Sequence, residues 1–250
     1  MISVNKALSI IQSSVNRVKS EKINVLDSMG RILSSSVKSL IDSPPFDMSA
    51  MDGYAVNLNK GKKIHKFKVI GEVFAGENKK NQIKLNEAVR VFTGSKLPRD
   101  TIKVIIQEKV TKIDDNFIYL KGVNNKESYI RKKGQDYKKG SILLKKNHQV
   151  SARDVGLLIS SGIKKISVYK KPNVAVIATG NELVKNGKIL KNGQIYASSL
   201  YMISSLLKLV NTNCNLLQIV EDDEKSLKNC FKNLQDVNLI ITTGGVSVGK

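Results

Sequence analysis

Three short segments in the last third of the chain concentrate residue types that can do chemistry. They are Thr179-Gly180-Asn181-Glu182, Glu221-Asp222-Asp223 and the run from Thr242 through Gly244, Gly245 and Ser247 to Gly249. Glycines let backbone N–H groups approach an anion closely, and Ser and Thr add hydroxyl donors, so the third segment suits a phosphate or a polar heterocycle. Carboxylates beside a phosphate binder suggest a bridging divalent cation, because hard oxygen ligands suit one. Each piece also has a plainer explanation. Asp222 or Asp223 could simply cap the next helix, Glu182 could be a solvated loop acid, and a lone TGG loop could merely turn a corner.

The elements around these segments lend them a common address. Each follows an apolar run, VAVIAT, NLLQIV or LIITT, and helical patterns near Ser198–Val210 and Glu224–Leu234 separate the runs. That order is βαβαβ, and near-continuous apolar strands alternating with helices predict a parallel sheet covered on both faces. Ligands of open parallel sheets bind outside the carboxyl ends of the strands, so all three segments should share one rim.

Upstream, Val4, Ala7, Ile11, Val15 and Val18 recur at helical spacing, predicting a helix from Ser3 to Val18 with Ser3 as N-cap. From about Ile41 to Ile130 the pattern shifts to short β-type runs such as KFKVIGEVFAG, AVRVFTG, KVIIQEKV and FIYLKGV, punctuated by Gly, Asn and Pro. A basic stretch, Tyr129 to Lys146, follows. Ser151 and Asp154 then form a capping-box-like start to a second helix, with Gly162 as its stop.

The 250 residues contain 42 Lys and Arg against 21 Asp and Glu, a formal net charge of +21. Clustered cations attract nucleic acid, but nucleic-acid readers lean on arginine and aromatic rings. Only six of the basic residues are arginine, and aromatics make up 5%. Lysine spread along the whole chain reads as compositional drift, so no nucleic-acid partner is expected. No apolar run approaches the roughly 20 residues that span a bilayer, and the N-terminus lacks a signal peptide's apolar block, so no membrane partner is expected and a cytoplasmic, soluble protein is. Cys214 and Cys230 match no zinc or redox spacing and read as core thiols.

Periodicity does not explain Ser43-Pro-Pro-Phe-Asp-Met-Ser-Ala-Met-Asp-Gly-Tyr-Ala-Val56, beyond an Asp-Gly turn entering a strand. Here the chain resembles the molybdopterin molybdenumtransferases, the MoeA-type enzymes that include the gephyrin E domain, whose hallmark is a PPFDxSAMDGYAV segment. The resemblance continues in order through GEVFAGE (71–77), AVRVFTGSKLPRDTIKVIIQE (88–108), YIRKKGQD (129–136), VAVIATGNELV (174–184), GQIYASS (193–199) and ITTGGVSVG. Met48, Gln135 and Asn181 depart from residues common in the family, and none removes a carboxylate on which the resemblance relies.

The resemblance implies a multidomain α+β and α/β architecture. A helical, mixed dimerisation domain (1–42 and 131–170) would carry an inserted small β domain (43–130), followed by a partial parallel-sheet α/β molybdopterin-binding domain (171–250). It implies a magnesium-dependent transferase of molybdenum-cofactor biosynthesis that takes adenylylated molybdopterin and molybdate as substrates and releases AMP. Carried over by motif, Asp52, Thr93, Asp136, Glu182 and Asp222 form the catalytic pocket, with Asp52, Glu182 and Asp222 as metal ligands. Ser49, Gly180, Gly244, Gly245 and Ser247 would hold the pterin or its phosphate. The implied partners are a second copy of the chain, so that the acids of the two chain halves come from different subunits, and a molybdopterin adenylyltransferase upstream. Because the family continues past GGVSVG, the resemblance also implies a truncated product, with a non-catalytic dimeric scaffold or cofactor-binding fragment as the alternative to an active enzyme.

Overall fold

A computed structural model describes residues 2–58, 64–78, 82–112, 114, 116–121 and 127–244. The elements used below run, in chain order, α1 (Val4–Ser14), β1 (Ser20–Asn24), β2 (Gly53–Val56), β3 (Ile64–Val73), β4 (Glu87–Val91), β5 (Lys103–Ile106), β6 (Thr111–Lys112) and β7 (Phe117–Lys121). They continue with α2 (Ala152–Ser160), β8 (Lys165–Tyr169), β9 (Asn173–Thr179), α3 (Ser198–Leu209), β10 (Asn213–Val220), α4 (Glu224–Lys232) and β11 (Leu239–Thr243). The chain divides into two compact units, one of residues 1–37, 144–159 and 164–250, the other of residues 38–143 and 160–163.

The second unit is built on a six-stranded mixed sheet in the order β5-β2-β4-β3-β7-β6. Strand β2 pairs antiparallel with β4 and β5, while β3 runs parallel to β4 and antiparallel to β7. Side chains alternate across the pleat. Tyr54, Val56, Ala88 and Ile105 therefore join Phe67, Ile118 and Leu120 in one buried cluster, whereas Ala55, Val89, Val91 and Val104 join Val73, Ile83 and Leu97 in another. Both faces of the central strands are covered, which is why GYAV is apolar at every position. Gly53 lies so close to β5 that a Cβ there would sit 2.0 Å from the Ile105 carbonyl oxygen.

In the first unit, β9 is the centre of a three-stranded sheet in the order β10-β9-β11, parallel throughout. The expected βαβαβ order is present, and its helices and strands fall within a few residues of the expected spans. Val174, Val176 and Ala178 face Leu200 of α3, with Leu217, Ile219, Ile241 and the half-buried Cys214 packed against them. On the opposite face, the Cys230 thiol of α4 donates to Gln218 Oε1 at 2.7 Å. Both cysteines are free and half-buried. Strands β1 and β8 form a separate antiparallel pair.

Helix α1 starts as expected, with Ser3 Oγ accepting from Lys6 N, but it ends at Ser14 rather than Val18. Ser13 and Ser14 both turn their hydroxyls back onto the Ile10 carbonyl, a competing bond that helps end the helix before the β-branched Val15. Its first turns bury nothing: Val4, Leu8 and Ile11 are all exposed. Helix α2 opens on the expected reciprocal cap, Asp154 N donating to Ser151 Oγ and Ser151 N to Asp154 Oδ2. Gly162 follows it at φ +80°, the left-handed conformation of a helix stop.

Candidate functional site

In the sheet unit, the segment from Asp47 to Asp52 forms a tight turn that neighbouring loops hold from two sides. Ser49 is buried, and its hydroxyl donates to the Met51 carbonyl at 2.6 Å, closing the turn on itself. Its backbone pairs with Ile130 on one side, while on the other it donates to the Ser95 carbonyl and accepts from Gly94 N. The hydroxyl of Ser49 therefore shapes the turn.

This framework presents Asp52 at the surface. Its Oδ1 accepts from Thr93 N at 2.7 Å and from Thr93 Oγ1 at 2.8 Å. Those bonds, and more weakly the charge of Arg90, hold the Asp52 carboxyl below its ordinary value. Oδ2 has no partner among the described residues, so half of the carboxylate stays available. Asp136 also sits at the surface, its Oδ2 accepting from Arg131 Nη2 at 2.7 Å and Ser43 Oγ at 3.1 Å. No hydrogen bond links Asp52 to Asp136 among the described residues.

Two features of this region escape sequence reading. Asp47 is fully engaged, accepting from Lys132 Nζ at 2.7 Å on one oxygen and Lys133 N at 2.8 Å on the other. Partial burial opposes its ionisation, but these bonds outweigh it and lower the pKa. It is thus a structural acid two residues before Ser49, and only the fold separates its role from that of Asp52. Next to Thr93, the rings of Phe92 and Phe74 stack at 4.6 Å with 9° between planes, and the Arg90 guanidinium lies 5.3 Å from the Phe92 centroid. The motifs GEVFAGE and VFTG each contain one of these rings, but nothing in their spacing foretells the stack.

In the α/β unit, the exits of β9, β10 and β11 lie on one rim, because the three strands are parallel and in register. Gly180 N donates to the Val220 carbonyl at 3.1 Å, and Asp222 N donates to Asn181 Oδ1 at 3.2 Å, so the first two exit loops are stitched together. Buried Gly180 makes room for an acid: a Cβ there would stand 2.7 Å from Glu182 Oε2. Gly244, at φ +102°, could carry no Cβ without approaching both Thr179 O and Thr179 Oγ1 to 2.5 Å. Both glycines are required by close approach.

The question of which acid caps α4 is settled by geometry. Asp223 is the N-cap, accepting from Ser226 N at 2.9 Å, and these Ser226 bonds lower its pKa. Asp222 is left exposed, and neither its carboxylate nor that of Glu182 has a hydrogen-bond or ion-pair partner among the described residues. Gly245 and Ser247 lie outside the described residues. Among the described residues, no group of three or more His, Cys, Asp or Glu is placed to hold a metal ion. The expected residues therefore fall into two sets. Ser49, Asp52, Thr93 and Asp136 belong to the sheet unit, and Gly180, Glu182, Asp222 and Gly244 belong to the α/β unit.

Comparison with known proteins gives both sets a context. A family model described as "MoeA N-terminal region (domain I and II)" matches residues 2–162, and one described as "Probable molybdopterin binding domain" matches residues 175–250. The chain is 34% identical to the molybdopterin molybdenumtransferase of Haemophilus influenzae, covering 100% of this chain and 62% of that protein. It is 33% identical to the molybdopterin molybdenumtransferase of a Nostoc species, over 100% of this chain and 59% of that one. A solved structure of the molybdopterin biosynthesis MoeA protein of Pyrococcus horikoshii OT3 superposes with a TM-score of 0.86 at 28% identity, covering 99% of this chain and 67% of that one. A second Pyrococcus MoeA structure gives 0.83 at 33% identity, covering 98% of this chain and 64% of that one. The chain thus spans about three-fifths of the length of the curated relatives it matches.

Proposed function

Since this chain belongs to the MoeA family, whose N-terminal region its residues 2–162 match, we propose that it serves molybdenum-cofactor biosynthesis by inserting molybdate into adenylylated molybdopterin with release of AMP. The observation that carries this reading is the rim of the α/β unit. Two exposed carboxylates, Glu182 and Asp222, without partners among the described residues, stand there where three parallel strands end together, the edge at which open parallel sheets bind ligands.

In this reading the rim binds the pterin and its phosphate. Gly244, with Gly245 and Ser247 beyond the described residues, would supply backbone N–H and hydroxyl donors, while Gly180, whose N–H is bound to the Val220 carbonyl, would shape the exit that holds them. Carboxylate oxygens suit magnesium, which commonly rests on one or two carboxylates while substrate phosphates and water complete its shell. Glu182 and Asp222 would hold it from the rim, and Asp52 would present Oδ2 while Thr93 fixes its other oxygen. When bound, magnesium supplies charge neutralisation at the phosphate oxygens as the bond to AMP breaks. Asp136, braced by Arg131 and Ser43, completes the acidic pocket on the side of the sheet unit. Ser49 acts by holding the turn that aims Asp52.

The same reading makes residues 43–130 an inserted β domain, 1–42 with 131–170 a dimerisation domain, and 171–250 the molybdopterin-binding part. The working unit is a homodimer in which each pocket draws Asp52 from one subunit and Glu182 from the other, fed by a molybdopterin adenylyltransferase in the cytoplasm. No helix among the described residues is long and apolar enough to cross a membrane.

Two measurements on the purified protein test the proposal. Glu182→Gln and Asp52→Asn should each lower magnesium-dependent AMP release from adenylylated molybdopterin at least about a hundredfold, since no neutral isostere replaces an acid that places magnesium. Equilibrium binding of adenylylated molybdopterin should weaken in Glu182→Gln and Asp222→Asn even without turnover. Wild-type binding and AMP release in all three variants would overturn the assignment.

A further inference from the structure

The edge of the α/β sheet opposite the acidic rim carries a second opening. A cleft of about 780 Å³ is lined by the entries of the three parallel strands, by the start of β1, and by the link between β8 and β9. The whole cleft lies within one compact unit. Seven residues of β9 separate it from the rim, roughly 20 Å at the rise of an extended strand.

Its floor is an amide ladder. Asn213 Nδ2 donates to Asn173 Oδ1 at 3.2 Å, and Asn173 Nδ2 donates to the Asp236 carbonyl at 2.9 Å. Asn173 N donates to Asn238 Oδ1 at 2.8 Å, so one asparagine at the head of each strand ties the three entries together. The Nδ2 group of Asn238 has no partner among the described residues and remains a donor.

The walls are cationic. Arg31 is largely buried, and its Nη2 donates to Glu21 Oε1 at 2.5 Å and to the Tyr169 carbonyl at 2.8 Å, which fixes the guanidinium and cancels the Glu21 charge. Lys19, Lys170 and Lys171 also line the cleft, and none of them makes an ion pair among the described residues. Asp236 is the one lining acid without a cationic partner there. Three unpaired ammonium groups around a concave, amide-lined floor concentrate positive potential, because low-dielectric walls focus the field.

We propose that this cleft is a second binding site, separate from the acidic rim, for a small organic polyanion carrying phosphate groups. A single phosphate would leave most of the volume empty, whereas a cleft of about 780 Å³, within the roughly 300–1,000 Å³ usual for small-molecule pockets, has room for a pyrophosphate group with an attached organic part. Lysine ammoniums make point contacts with phosphate oxygens, and amide donors add direction. A ligand there bridges Lys19, at the start of β1, with Lys170 and Lys171 ahead of β9, and so couples occupancy to the stability of this unit.

The test uses the 250-residue chain with inorganic pyrophosphate and ADP as probes, followed by isothermal titration and by backbone amide shifts in NMR. Saturable one-to-one binding is expected, with shifts at Asn173, Asn213 and Asn238. Lys170→Gln with Lys171→Gln should weaken it at least about tenfold, as losing charged hydrogen bonds does. Lys145→Gln with Lys146→Gln, lysines outside the cleft, should leave it unchanged. Thermal melts of the ligand-free variants check folding, and Lys19→Gln alone provides a second, milder probe of the same wall. Absence of saturable binding, equal weakening by both lysine pairs, or shifts confined to Gly180 and Asp222 would each overturn the proposal.

Discussion

Asp52 commits one oxygen to Thr93 and leaves the other uncommitted, whereas Asp47, five residues earlier, commits both. That difference leaves Asp52 an oxygen without a partner among the described residues and makes Asp47 a structural acid. Because the folded pKa of Asp52 is lowered, chiefly by the Thr93 bonds, those bonds favour the carboxylate. They are fully in force above the unfolded value and are lost as pH falls through the lowered folded value. Carbon NMR should therefore find the Asp52 titration midpoint below 3.8, the ordinary value for aspartate here. Thr93→Val removes the hydroxyl donor but keeps the backbone one, so the midpoint should rise partway back. A midpoint at or above 3.8 in the unmodified chain would contradict this account of the turn.

Helix α4 poses the same question at the scale of an element. Consecutive aspartates precede it, and the extended conformation of Asp223, φ −138° and ψ 151°, turns that side chain onto the Ser226 amide while Asp222 is left at the rim. Asp223→Ala should therefore fray the first turn of α4, seen as several-fold faster amide exchange at Ser226. Asp222→Asn should leave that exchange unchanged. Reversed behaviour of the two variants would mean that capping and rim roles have been exchanged. The rim itself depends on elements more than on loops. Three parallel strands must end level with one another before a carboxylate from one exit and a glycine from another can meet a common ligand.

For the whole molecule, the net charge of +21 is the most conspicuous property of the composition. Much of it sits on lysines scattered along the chain, a distribution that gives diffuse attraction to polyanions without geometric readout. Binding to random duplex DNA at physiological salt should accordingly be sequence-indifferent, with a Kd no tighter than about 1 μM. A filter-binding titration with two unrelated duplexes checks this. Sequence-selective affinity in the nanomolar range would show that the lysines had been undervalued.

Local pattern sufficed for much of this protein. Continuous apolar runs in VAVIAT and LIITT are legible as strands, the Ser151–Asp154 spacing as a cap, and the collinear motifs from PPFDMSAMDGYAV onward as the mark of the family, but only VAVIAT is buried on both faces as expected, while Leu239 and Ile240 of the edge strand stay exposed. These features depend on residues within a few positions of one another, so one-dimensional order carries them. The early end of α1 lay at the margin, since Ser13 and Ser14 are as compatible with helix as with the back-bonds that close it. Tertiary structure alone decided the rest. Which of Asp222 and Asp223 faces the rim turns on the backbone conformation at Asp223, whereas how Asp52 meets Thr93, why Phe74 stacks on Phe92, and how Lys19, Lys170 and Asn238 come to line one cleft all turn on pairs far apart in the chain. Such pairs are set by strand register and sheet order, which arise from the packing of many side chains at once and leave no spacing in the sequence to read.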